Sequence, residues 1–209
     1  MSPMIQSAFW EGLWSGVFEL LAIGCVAFWV NIVYQRIRAR QSLRRDLIEE
    51  IDAFSYDLYK PRKLYQALLD QPTLLAEIED PKERSVQRSL LTHQCLVELT
   101  ECVGRFRAIQ VKLVPLFGFN VELFGYYLAI WRYLREIRKR MERRESLYFH
   151  HESPTSSDAF YRLIDQFRYR VQVIPSIKQK PQLLSTPDDI QAEMNAKGER
   201  VYQTYFGDS

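Results

Sequence analysis

The hydrophobic rhythm of the chain changes once, close to residue 35. From Gly12 to Tyr34 the residues are mostly Leu, Val, Ile, Phe, Ala and Gly, with one internal charge at Glu19. A segment apolar on all sides reads as a membrane span rather than as one face of a bundle helix. As a helix, residues 12–34 measure about 34 Å at ~1.5 Å per residue, longer than the apolar core of a bilayer. Trp10 and Trp14 flank one end and Trp29 and Tyr34 the other, as an interfacial aromatic belt would. Glu19 costs about 2.5–3.5 kcal/mol near mid-bilayer, and each strongly apolar neighbour returns about 0.3–0.6 kcal/mol, so insertion survives the charge.

Beyond residue 35 the rhythm becomes amphipathic. Leu43, Leu47, Ile51, Phe54 and Leu58 recur at three- and four-residue steps and predict a long helix, with Pro61 ending or kinking it near Lys60. A second segment then carries Leu64, Tyr65 and Leu68. Asp80-Pro81 with Glu83 predicts a helix start: an acidic cap, proline in the first turn and an acid near the positive end of the dipole. That helix runs to about Val114, where Pro115 stops it, and turns Val86, Leu90, Val97, Val103 (or Leu99), Phe106 and Leu113 inward. Phe124, Tyr127, Leu128, Trp131, Leu134, Ile137 and Met141 form one stripe on the next helix, Val121 to about Leu147. Ser157 or Asp158 caps a fourth helix with Phe160, Leu163, Ile164, Phe167 and Val171 inside. Thr186-Pro187-Asp188-Asp189 opens a last one carrying Ile190, Met194, Val201 and Tyr205. No segment shows strand alternation and no repeat is visible. The fold class is all-α: a single N-terminal transmembrane helix (residues 1–35) followed by a cytoplasmic α-helical bundle (residues 36–209).

Charge sets the direction of the anchor. No Lys or Arg precedes it, while Arg36, Arg38, Arg40, Arg44 and Arg45 follow directly, which places the N-terminus outside and the bundle in the cytoplasm of an inner (plasma) membrane. A second span near residues 113–131 would carry Arg132, Arg135, Arg138, Lys139, Arg140, Arg143 and Arg144 outward, against the same rule, so that segment is read as a bundle helix. The basic residues are chiefly arginine, twenty against eight lysines. Arginine suits bidentate contact with phosphate, so Arg36, Arg38, Arg40, Arg132, Arg135, Lys139 and Arg143 are candidate contacts for anionic lipid or RNA, against the alternative of a solvated helix face. Tyr56, Tyr59, Tyr65, Tyr126, Tyr127, Trp131 and Tyr133 form an aromatic set that either stacks on bases or packs core and interface.

Within the anchor, Gly12, Gly16 and Glu19 share a face at helical spacing. Small residues let helices approach closely, and a carboxyl inside lipid favours a protein partner or water, so this face predicts self-association into a homo-oligomer with Glu19 toward a polar lumen. Three cysteines (Cys25, Cys95, Cys102) make no disulfide framework, and Cys95 and Cys102 stand about 10 Å apart along one helix. There is no Cys/His metal spacing, glycine-rich phosphate loop or nucleophile elbow, so the sequence implies no cofactor and no metal.

Arg88-Ser89-Leu90-Leu91-Thr92-His93 has four residues between arginine and histidine, and Arg144 to His150 has five. With the single span and the all-α domain, these motifs make the chain resemble the membrane-anchored HEPN-type accessory proteins of RNA-targeting CRISPR systems. The resemblance implies an antiviral effector that oligomerises into a membrane pore. It also implies an alternative, a membrane-tethered, metal-independent ribonuclease in which His93 (or His150) acts as general acid or base and Arg88 (or Arg144) stabilises phosphorane charge. On a regular helix Arg88 and His93 point about 140° apart, so they converge only through helix distortion or a partner subunit. Ser89 also stands where the family motif has Asn, His or Asp. A third reading is a non-enzymatic tether for a cytosolic protein partner.

Overall fold

A computed structural model describes the backbone of residues 3–71, 75, 78–147, 155–175 and 186–207, and their side chains apart from 3–22 and 155–157. It contains five α-helices: α1 Pro3–Asp70, α2 Pro81–Phe117, α3 Val121–Arg143, α4 Thr155–Val173 and α5 Pro187–Phe206. No strand occurs among the described residues. The chain forms two compact units, Met1–Leu43 and Arg44–Ser209. Among the described residues no helix is long and apolar enough to cross a membrane. The side chains of Gly12, Gly16 and Glu19 lie outside those residues, as does His150.

In the first unit the side chains from Ile23 onward are almost all exposed. Ile23, Val26, Phe28, Trp29 and Val30 are each 62–66 % exposed.

The second unit is a bundle centred on α3, which packs most extensively on α5 and also against α4 and α2. An aromatic chain runs through all five helices. Tyr127 stacks on Phe106 at 4.7 Å, Phe106 meets Phe54 at 4.8 Å, and Phe54 meets Phe160 edge-on at 6.5 Å. Phe160 stacks on Tyr133 at 4.6 Å, and Tyr133 on Phe206 at 4.7 Å. Leu47, Ile51, Leu58, Leu99, Ile109, Leu113, Leu163 and Val171 are fully buried around this line.

Caps fix where the helices begin. The Asp80 carboxylate accepts from the Lys82 backbone N–H at 2.9 Å, Asn120 accepts from Leu123 at 3.0 Å, and Thr186 with Asp189 forms a reciprocal capping box. The C-terminus of α3 is tied to α1 instead. Tyr65 donates to the Glu145 carbonyl at 3.0 Å, and Gln66 accepts from the Leu147 N–H at 3.0 Å while donating to Asp70.

Several expected boundaries and faces are corrected. Pro61 does not end α1. Leu58, Tyr65 and Leu68, on both sides of it, are buried in the same core, and that packing outweighs one lost backbone bond. Pro115 lies inside the last turn of α2, which closes at Gly118 in a positive-φ conformation, three residues beyond the expected stop. On α2 the expected inward residues Leu99, Phe106 and Leu113 are buried together with Cys95, Cys102 and Ile109, whereas Val86, Leu90 and Val97, also expected inward, face solvent. The helix carries two apolar stripes and only one meets the bundle. α3 ends at Arg143 rather than Leu147, and α4 starts at Thr155, so Asp158 sits in its first turn instead of capping it. Leu43 is exposed.

Burial pushes the Cys95 and Cys102 thiols up to about 11 from 9.0, and the Tyr65 and Tyr127 hydroxyls up to about 12 from 10.0. Each group holds its proton more tightly folded than unfolded. Its stabilisation is therefore complete below the unfolded value and is lost as pH rises toward the folded one. Thermal melts between about pH 8 and 11 should show a midpoint that is flat at first and falls above pH ~9. A midpoint constant to about pH 11 would contradict the burial of these groups.

Candidate nucleic-acid or lipid interface

The basic residues of α3 sit in two settings. Arg138 pairs with Glu142 at 2.9 Å and Arg140 with Glu136 at 3.3 Å, each one turn apart on the same helix. Arg132 reaches across to Glu199 of α5, and its guanidinium lies 5.0 Å from the centre of the Tyr202 ring. Arg135 and Lys139 have no hydrogen-bond or ion-pair partner among the described residues.

These two line a groove of about 440 Å³ between α3 and α5. Leu128 and Trp131 form an apolar wall, Arg132, Arg135, Glu136 and Lys139 continue it along α3, and Asn195, Gly198 and Glu199 close it from α5. Both carboxylates in the lining are already engaged, Glu136 by Arg140 and Glu199 by Arg132 and by Gln203 at 2.8 Å. The uncompensated charge facing the groove is that of Arg135 and Lys139.

Three of the expected anion contacts, Arg132, Arg135 and Lys139, thus converge on one concave surface. Arg143 is exposed but outside the groove lining, and Arg36, Arg38 and Arg40 are exposed on α1. The α5 residues of the groove carried no sequence signal, because which face of α5 meets α3 is a tertiary outcome. The one hint was Gly198, a helix-interior glycine.

The arginine–histidine motifs fall elsewhere. α2 is unbroken through both Arg88 and His93, and both side chains are exposed. His93 lines a second groove, about 350 Å³, with Leu96, Val97, Thr100 and Glu101 of α2 and Arg138 and Glu142 of α3. The arginine near His93 is therefore Arg138, already held by Glu142, and Arg88 is not in that lining. Arg144 closes α3 in the left-handed conformation (φ 59°), its backbone N–H bonding to the Arg140 and Met141 carbonyls. Of the aromatic set, Tyr65, Tyr127 and Tyr133 are core residues, Tyr126 and Trp131 are half-buried, and Tyr56 and Tyr59 face solvent. Among the described residues no cluster of His, Cys, Asp and Glu could hold a metal.

No known protein family, curated protein or solved structure matches this chain. What the chain does must be argued from its own side chains.

Proposed function

We propose that the chain is a non-enzymatic membrane effector. Residues 12–34 of α1 insert in the bilayer with the N-terminus outside, the bundle stays at the inner face, and the anchors self-associate. The observation that carries this reading is the exposure of Ile23, Val26, Phe28, Trp29 and Val30 around the helix rather than along one face. In water such a surface is costly all round; in lipid it is solvated. Arg36, Arg38 and Arg40 follow at the level of anionic headgroups.

Cys25 tests the reading directly, because it lies inside the proposed span while Cys95 and Cys102 are buried in the bundle. In inverted membrane vesicles a membrane-impermeant maleimide should label none of the three until sodium dodecyl sulfate dissolves the membrane and unfolds the bundle, and then all three. Rapid single labelling in intact vesicles would place Cys25 in water and end the proposal.

Self-association is assigned to Gly12, Gly16 and Glu19. The detergent-solubilised protein should have a mass that is a multiple of 24.8 kDa, reduced by Gly16→Leu or Glu19→Leu. A monomer unaffected by those changes would leave a plain tether for a cytosolic partner. Dye release from loaded liposomes would separate the pore-forming, antiviral-type role from that tether. The ribonuclease alternative requires Arg88 and His93 to meet, which on the unbroken α2 takes a partner subunit. Metal-independent RNA cleavage lost in His93→Ala would reverse this preference.

A further inference from the structure

Along one edge of α3, residues 131, 135, 139 and 143 succeed each other at four-residue steps: Trp131, Arg135, Lys139, Arg143. Three like charges in this register repel one another and destabilise the helix, by the rule that makes opposite charges at that spacing favourable. The remaining cations of the same helix stretch are offset: Arg138 and Arg140 by carboxylates one turn away, Arg132 by Glu199. The register around Arg135 offers no such carboxylate. Its neighbours at three- and four-residue steps are Trp131, Arg132, Arg138 and Lys139, none of them acidic. Lys139 has Glu136 and Glu142 at three-residue steps, but Arg140 and Arg138 hold those carboxylates. Arg135 and Lys139 face a groove of about 440 Å³, the scale of a small-molecule site.

We propose that this groove binds a small organic phosphate. Arg135 and Lys139, about 6 Å apart along the helix axis, take the phosphate charge, Arg135 through its planar fork and Lys139 as a mobile point charge. The Asn195 amide supplies a further hydrogen bond from α5. Leu128 and Trp131 receive the ester's apolar or planar part, which inorganic phosphate lacks. Glu136 and Glu199 do not repel the ligand as free carboxylates, because each is neutralised by its own arginine. The ester is supplied either by a free nucleotide or by a lipid headgroup, and the groove chemistry is the same for both.

The inference does not rest on the membrane reading, since binding is measured on the full chain in neutral detergent. Calorimetric titration with ADP forms one arm and water-soluble dihexanoyl phosphatidic acid the other. Saturable binding of either probe at about one per chain is expected, weakened at least about tenfold in Arg135→Gln/Lys139→Gln and unchanged in Arg200→Gln, which removes an exposed arginine of α5 outside the groove lining. ADP binding alone identifies a free nucleotide, and phosphatidic acid alone a headgroup. The melting temperature of the double variant should be equal to or above that of the parent, since like-charge repulsion is removed, which separates lost binding from lost folding. Absence of saturable binding by both probes overturns the proposal. So does undiminished affinity in the double variant, or an equal loss in Arg200→Gln.

Discussion

Phe160→Ala should destabilise the bundle by about 3–5 kcal/mol, a large part of the ~5–15 kcal/mol available to a domain of this kind. Phe160 has no exposed surface and sits where three helices meet: its ring stacks on Tyr133 of α3 and meets Phe54 of α1 edge-on. The same ring lies under the Arg62 guanidinium at 5.0 Å, and the Tyr133 ring at 5.3 Å. Arg62 is 7 % exposed, has no acidic partner among the described residues, and its Nε has no hydrogen bond. The rings are therefore what solvates the cation, at about 0.5–2 kcal/mol per contact. Removing Phe160 opens a cavity and weakens that support together. Arg62→Met keeps the aliphatic stem in place and removes the buried charge, so it should cost much less than Phe160→Ala. Urea titrations of both variants, followed by near-ultraviolet circular dichroism, would check the order. A Phe160→Ala midpoint within error of the parent would contradict the central role of the aromatic chain.

The aromatic chain shows what the sequence could and could not reveal. Helices α2 to α5 were visible in the spacing of their apolar residues, and the starts at Asp80-Pro81 and Thr186-Pro187 were legible because capping is local chemistry, whereas the unbroken length of α1 was not. The inward face of α4 was also legible, since Phe160, Leu163, Ile164, Phe167 and Val171 form its one apolar stripe. α2 was different. Two apolar stripes run along it, and only the position of α1 and α3 decides that Leu99 and Phe106 are covered while Val86 and Leu90 are not. Pro115 was read as a stop and Pro61 as a stop or a kink because local cost is what a sequence displays, while the compensating packing is not.

The groove was half legible. The run of basic residues from Arg132 to Arg143 pointed to anions, but nothing in their order distinguished Arg138 and Arg140, held by carboxylates on the same helix, from Arg135 and Lys139. The α5 side, with Asn195 and Glu199, depends on which face of α5 lies against α3. The Arg88–His93 motif makes the opposite point: residues close in sequence are separated by the regularity of the helix that holds them.

Gly198→Ala should destabilise the bundle by about 1–3 kcal/mol, the usual range for an overpacked interface, although alanine is the better helix former. α3 and α5 approach so closely at Gly125 and Gly198 that neither position has room for a side chain. A Cβ on Gly198 would stand 2.8 Å from the Leu128 Cβ, 3.4 Å from the Gly125 carbonyl oxygen and 3.7 Å from the Ala129 nitrogen. None of these atoms can swing aside, so the helices must separate. A Cβ on Gly125 would overlap the Lys197 Cγ and stand 3.0 Å from its Cβ, atoms held close to the α5 backbone, so Gly125→Ala should destabilise as well. Gly104 on α2 serves as the control. Nothing lies within 4 Å of its Cβ position, and Gly104→Ala should stabilise by about 0.5–1 kcal/mol through helix propensity alone. Thermal melts of the three variants should place Gly104→Ala above the parent and both Gly125→Ala and Gly198→Ala below it. The ranking also bears on the groove, because Leu128 and Gly198 both line it. If Gly198→Ala melted at or above the parent, α3 and α5 would not be in contact there, and the wall that faces Arg135 and Lys139 would be missing.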